Sequence, residues 1–240
     1  MTRKSDEAAA FRAAQGPAAF TVACCGLGTS PDATKAFVKG RGAAELVRGL
    51  RANVESAEAC VAGLCALRRL ASSPYGQDAV GAVGAIPALM AAAASFPGDA
   101  SVQTAALSAL AALALNARNE ADAVAAGALE LCVAQLTAAL DDAASAAAAA
   151  ALRNLCGSAV SQQSATAAGA LPALVAALKR ASPTESVALC TALLSALRNV
   201  CSLPRNKTAA AQAGAVDAVL ALLRAAPEVA EVQQHVRALA

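Results

Sequence analysis

ALRNLC, residues 151–156, returns as ALRNVC at 196–201, and each copy is followed at one fixed distance by a glycine and a run of small apolar residues. Gly169 opens GALPALVAAL eighteen residues after Ala151, and Gly214 opens GAVDAVLALL eighteen after Ala196. The same interval joins Ala109 to Gly127 and Ala66 to Gly84. Alanine and leucine are common enough here for a short phrase to recur by chance, but four copies keeping one spacing are not a product of composition. Anchoring on the glycines gives Gly42, Gly84, Gly127, Gly169 and Gly214, at intervals of 42, 43, 42 and 45 residues. That period belongs to helical solenoids.

Composition agrees with close-packed helices. Of 240 residues 58% are hydrophobic but only 2% aromatic, with no Trp, so most of the apolar content is alanine. Alanine is the best helix former and lets helices approach closely. A core rich in aromatic area is not expected. A formal charge of +2, from 19 basic and 17 acidic residues, excludes a strongly basic nucleic-acid binder on bulk charge. Phe11, Phe20, Phe37, Phe96 and Tyr75 are scattered and form no base-stacking platform. Uncharged runs at 79–98 and 154–178 reach the length of a bilayer span. Pro87, Pro97 and several Gly, Ser and Gln residues within them argue against insertion. The opening MTRKSDEAAAFRAAQG has no apolar signal core. The expectation is a soluble protein without a membrane span, cytoplasmic, with the nucleus as the other address.

Eight cysteines invite a metal or disulfide reading that their spacing does not support. Cys156 and Cys201 share one repeat position, and Cys60 and Cys190 share another. Apart from the adjacent Cys24-Cys25 and the lone His235 there is nothing resembling a paired ligand set. Small buried thiols are expected, with no metal and no cofactor.

Each unit reads as three helices. The first is short and ends at the glycine, a residue suited to the left-handed turn that closes a helix. The second opens with Ala-Ile-Pro (85–87) or Ala-Leu-Pro (170–172), where proline is tolerated in the first turn. Leu171, Leu174, Val175 and Leu178 then recur at i, i+3, i+4 and i+7, so one face is buried. A break at Pro97, Pro183 or Pro227, or at Asp141-Asp142, begins the third helix. Its inward pairs are Leu67 with Leu70, Leu110 with Leu113, Leu152 with Leu155, and Leu197 with Val200. No such unit buries its apolar face alone, so stability must come from stacking on neighbours. The expected organisation is a flexible tail over 1–20 and a repeat array over 21–240, the last repeat cut off within its third helix. Residues 21–41 fit the register loosely, either as the remnant of an upstream helix followed by the first short helix or as an N-terminal cap.

GAIPALM (84–90), SVQTAALSALAAL (101–113), ALRNL with GALPALVAAL, and ALRNV with GAVDAVLALL together resemble the armadillo-repeat family over residues 31–240. The resemblance implies an all-α, right-handed superhelical solenoid of three-helix repeats whose third helices line a concave groove. It also implies binding rather than catalysis, with extended peptides held along the groove by asparagines of the third helices. Asn154 and Asn199 occupy that asparagine position, whereas the earlier units carry Arg69 and Ala112 there. An Asn near a helix end can also simply terminate it. Where nuclear-import receptors of the family place a tryptophan, four residues before the asparagine, this chain has Cys65, Ser108, Ala150 and Ser195. Recognition of basic import signals on aromatic faces is therefore not expected.

Arg68, Arg153 and Arg198 precede the asparagine position. If this stripe faces the groove, it suits an acidic, extended ligand. Equally, basic residues in a last helical turn favourably meet the helix dipole, each worth about 0.3–1 kcal/mol. The candidate partner-contacting set is Asn154, Asn199, Arg153, Arg198, Arg68, Arg69, Ser108 and Ser195, the partners being other proteins. The function read from it is that of an interaction adaptor or scaffold. A passive spacer is the alternative, suited by the alanine-rich stretch 143–151, and a cysteine enzyme using His235 is the remote one. Neither GLGTS (26–30) nor KGRG (39–42) has the context of a phosphate-binding loop.

Overall fold

The structure is a computed structural model that describes residues 6–27, 30–225 and 227–237. Among the described residues there are helices and turns and no strand. The chain divides into two compact units, 1–126 and 127–240. The first contains α1 (Asp6–Ala13), α2 (Pro17–Cys25), α3 (Pro31–Lys39), α4 (Gly42–Ala52), α5 (Ala57–Leu70), α6 (Pro74–Ala82), α7 (Ala85–Ser95), α8 (Ala100–Leu113) and α9 (Ala117–Ala125). The second contains α10 (Ala128–Ala138), α11 (Asp142–Leu155), α12 (Ala159–Ala167), α13 (Ala170–Arg180), α14 (Val187–Val200), α15 (Pro204–Gln212), α16 (Ala215–Ala225) and α17 (Ala230–Arg237). No single helix among the described residues is long and apolar enough to cross a membrane.

The lengths repeat more strictly than the sequence does. First helices (α3, α6, α9, α12, α15) have 9 residues and second helices (α4, α7, α10, α13, α16) have 11. Third helices α5, α8, α11 and α14 have 14, and α17 is described over 8. Within each unit like packs on like: α4 on α7, α10 on α13 and α13 on α16, with α5 on α8 and α11 on α14. First and second helices meet at a sharp corner, 76° between α6 and α7 and 72° between α15 and α16.

That corner needs one left-handed residue. Gly84, Gly127, Gly169 and Gly214 supply it at φ of 78°, 84°, 86° and 84°. In the first unit the expectation fails by one residue, because the left-handed position is taken by Arg41, at φ 64°. Gly42 is instead the first residue of α4, where a Cβ would lie 2.4 Å from the Phe37 ring. Its absence of a side chain serves close packing, so Gly42 is not the turn equivalent of the other four.

The third helices also begin later than the prolines suggest. α8 is capped by Asp99, whose carboxylate accepts from the N–H groups of Ser101 and Val102 at 2.9 and 3.0 Å. α14 starts at Val187 and α17 at Ala230, so Pro97, Pro183 and Pro227 lie in the preceding turns. The acidic alternative behaves as expected, since Asp141 caps α11 by accepting from the Ala144 N–H at 2.7 Å.

A flexible tail over 1–20 is contradicted from residue 6 onward, while residues 1–5 lie outside the described residues. α1 packs on α4 and α2 on α5, so the two behave as a second-and-third-helix pair. Aromatic packing is the cause. Phe11, Phe20 and Phe37 are each 1% exposed and meet edge to face, at 5.9 Å between the first two rings and 5.2 Å between Phe11 and Phe37. The Phe20 ring fills the space left by Gly49, where a Cβ would come within 2.3 Å of it. Three aromatics that look scattered in sequence thus converge within the first unit.

Elsewhere the core is alanine and leucine, and buried side-chain amides tie its layers together. The carbonyls that end each third helix have no partner within the helix. Gln77 Nε2 donates to the Ala71 carbonyl just past α5 at 3.0 Å, and Gln162 Nε2 to the Cys156 carbonyl just past α11 at 3.1 Å. Asn206 Nδ2 donates to the Val200 carbonyl at the end of α14 (2.7 Å) and to the Gln162 carbonyl of the previous first helix (3.2 Å). Asn119 Nδ2 makes the matching link to the Gln77 carbonyl at 2.9 Å. One amide thus closes a helix end, fastens two repeats, or does both.

Two outcomes follow for stability. Phe20→Ala is expected to cost about 3–5 kcal/mol through the cavity it opens, with loss of protection in α1 and α2 read by amide exchange. Asn206→Leu, which takes the side-chain donor from the Val200 carbonyl at the end of α14, is expected to cost about 1–3 kcal/mol in a denaturation titration.

Candidate functional site

The third helices offer one outward stripe per unit, with positions set by the 3.6-residue period. In the second unit the solvent-facing side of α11 is Ala143, Ala146, Ala150, Arg153 and Asn154, and that of α14 is Ala188, Thr191, Ala192, Arg198 and Asn199. The other faces of both helices are buried, α11 through Ala144, Ala147, Ala148, Ala149 and Ala151 beside its leucines. The wall is therefore low and smooth, and its relief comes from the last turn.

In that turn Asn199 Nδ2 donates to the Arg153 carbonyl of the neighbouring third helix at 2.9 Å. Arg153 Nε donates in turn to Asn154 Oδ1 at 3.1 Å, so Arg153, Asn154 and Asn199 form one connected group. Arg198 and Arg153 are exposed, and Asn154 and Asn199 are half-buried. Ser195 is only 6% exposed and sits beneath this surface. At the opposite ends of the same two helices the Ser186 hydroxyl donates to the Asp142 carboxylate.

In the first unit the equivalent of Asn199 is Arg69, and it makes the same kind of link: its guanidinium donates to the Cys24 carbonyl in the last turn of α2. Sequence reasoning weighed ligand binding and self-termination for this position, and did not find a staple across neighbouring third helices. A readable signal exists, because in both cases the donor stands in the last turn, level with the last carbonyls of the adjacent helix. Arginines of second helices also reach the neighbouring repeat: Arg51 donates to the carbonyl of Gly84, the residue that opens α7, at 3.0 Å, and Arg180 to the Leu136 carbonyl near the end of α10 at 2.6 Å. Arg68 is exposed on α5, where with Arg69, Cys24, Cys25, Ala62 and Cys65 it lines a cavity of about 330 Å³. Ser108 is half-buried on α8, three and four residues before Ala111 and Ala112 on the same side of that helix.

Burial pushes the Cys24 thiol up to about 12, aided by the neighbouring Cys25, and raises Cys132 further. Burial also raises Cys60, Cys190 and Cys201. These thiols stay protonated at neutral pH and make poor nucleophiles. His235 Nδ1 is engaged with the Glu231 carbonyl of its own helix at 2.9 Å. Among the described residues no cluster of three or more His, Cys, Asp or Glu side chains is placed to hold a metal ion.

No protein-family model and no curated protein matches the sequence. Solved structures do match. An engineered protein superposes with a TM-score of 0.86 at 23% identity, covering 100% of this chain and 97% of its own. A designed armadillo repeat protein in complex with the peptide (KR)4 gives 0.83 at 21% identity, covering 99% of this chain and 98% of its own. One of a set of armadillo repeat proteins computationally designed for modular peptide recognition gives 0.82 at 22%, with coverage of 99% and 98%. At these identities the likeness carries the fold and not the ligand. The chain has an armadillo-type repeat fold.

Proposed function

We propose that the chain is a protein-interaction scaffold that holds an extended, acidic peptide segment on the outward stripe of its third helices. The observation that carries this reading is the exposure of Arg153 and Arg198 at one position of two packed third helices, above a wall of Ala146, Ala150 and Thr191. A smooth wall admits a peptide backbone, and two guanidinium groups in register select carboxylates. Peptide binding by designed armadillo neighbours supports the mode of recognition. One of those neighbours holds a basic peptide, whereas the arginines here favour the opposite charge. The small alanine wall also suits a passive spacer, which the same binding assay separates. That the chain is a scaffold and not an enzyme is supported by its neighbours and by its buried thiols.

Fluorescence polarisation with labelled Glu- and Asp-rich peptides is the direct assay. Capture is expected to weaken as salt rises, and Arg153→Ala and Arg198→Ala are each expected to lower affinity about tenfold. Both changes should leave stability within about 0.5 kcal/mol. Asn199→Ala should behave differently, costing about 0.5–1.5 kcal/mol of stability by removing the staple to α11. No measurable capture of any acidic peptide would favour the spacer. In thiol labelling at neutral pH, exposed Cys25 is expected to react well ahead of buried Cys24, Cys60, Cys132 and Cys190. One hyper-reactive buried cysteine would reopen catalysis.

A further inference from the structure

Three of the eight cysteines meet at one place in the first unit. Cys24 and Cys25 at the end of α2, with Ala62, Cys65, Arg68 and Arg69 of α5, line a cavity of about 330 Å³. That volume falls in the range of small-ligand sites. Packing does not call for the thiols. The position of Cys65 is filled in the other repeats by Ser108, Ala150 and Ser195. Cys25 stands where Asn154 does, since the Cys24 carbonyl receives the Arg69 donor as the Arg153 carbonyl receives that of Asn199. Cys24 is buried, Cys65 half-buried and Cys25 exposed. The three are not placed to hold a metal ion together. The cavity is also cationic. Arg68 is exposed and forms no ion pair among the described residues, and Arg69, tethered by an amino group to the Cys24 carbonyl, leaves its buried Nε without an acceptor. Among the described residues no acidic side chain lines the cavity.

We propose that this cavity is a modification site at which Cys25 takes up a glutathionyl group from oxidised glutathione, with Arg68 holding a carboxylate of the tripeptide. The Cys25 sulfur, its proton given up to water, attacks one sulfur of the incoming disulfide. A new S–S bond forms to Cys25 as the old one breaks, and the electron pair leaves on the second glutathione sulfur, which takes a proton from water. Cys25 is oxidised and the departing half of the reagent is reduced, so no other oxidant enters. Three observations select this class of reagent. A guanidinium group suits a carboxylate, and no acidic neighbour competes for Arg68, while Arg69 adds a second positive charge to the same cavity. The exposure of Cys25 admits a disulfide whose leaving half stays in solvent. Cys24 is set aside, because burial pushes its thiol up to about 12.

Intact-mass spectrometry of the reduced full chain after incubation with oxidised glutathione tests this. One glutathionyl group per chain is expected, mapped by digestion to Cys25, removed by a reductant and absent from Cys25→Ser. Its rate of formation should fall as salt rises, and about tenfold in Arg68→Ala. The rate with hydroxyethyl disulfide, which carries no charge, should respond to neither change. Cys25 and Arg68 are exposed, so both variants are expected to keep the wild-type melting temperature. A chain that takes up no glutathione overturns the proposal, as does an adduct on any other cysteine. Loss of hydrogen without added mass overturns it in favour of a disulfide within the chain. Arg68→Ala that slows both reagents equally, or neither, also overturns it and leaves Cys25 an exposed thiol that selects no reagent.

Discussion

A triplet of 9, 11 and 14 residues has more apolar surface than it can cover by itself, and the next triplet covers the rest. Val175 of α13 illustrates this, being 2% exposed on a helix that packs against α16. A buried Leu or Val contributes about 1.5–3 kcal/mol, whereas alanine removes far less area from water. An alanine-rich fold therefore depends on proximity, gaining through dispersion between backbones that approach closely. α11 and α14 use this solution, with a line of buried alanines in α11 facing inward.

Close approach brings helix ends together, and helix ends carry unpaired carbonyls that cannot be left dry. The fold answers with long polar side chains, which for Gln77 and Gln162 stand six residues further along the chain and for the others in the neighbouring repeat. Gln77, Gln162, Asn119 and Asn206 serve the first helices, Arg51 and Arg180 the second, and Arg69 and Asn199 the third. These bonds do not supply the bulk of the stability. They fix the register in which the apolar faces meet, and so fix where Arg153 and Arg198 emerge. The arrangement of the outward stripe is a consequence of how the repeats are fastened.

Much of this was legible in the sequence, and the reasons differ by element. The glycines at 84, 127, 169 and 214 could be read because a left-handed corner leaves few other choices, and the inward leucine pairs because helical spacing exposes them. Gly42 was misread for an equally physical reason: a glycine kept for close packing against Phe37 looks the same in sequence as one kept for its φ. The helices over 6–25 were missed because Phe11 and Phe20 lie far along the chain from the glycine notch at Gly49 that receives one of them. Ser195 was grouped with exposed candidates by its register, yet a turn of one position within a closely packed helix pair suffices to bury it. The staple made by Asn199 joins residues 46 apart in sequence, and its only local mark is the donor's place in a last helical turn.

Hydrogen–deuterium exchange across the whole chain tests the stacking account most directly. Protection should be greatest in α5, α8, α11 and α14, the third helices packed on like helices, and weaker in α16, where Val216 and Leu220 are exposed, and in α17. Alanine-rich α11 should be as slow to exchange as leucine-rich α14, because inter-repeat contact and not side-chain size sets its stability. Exchange in α11 as fast as in α17 would contradict the account.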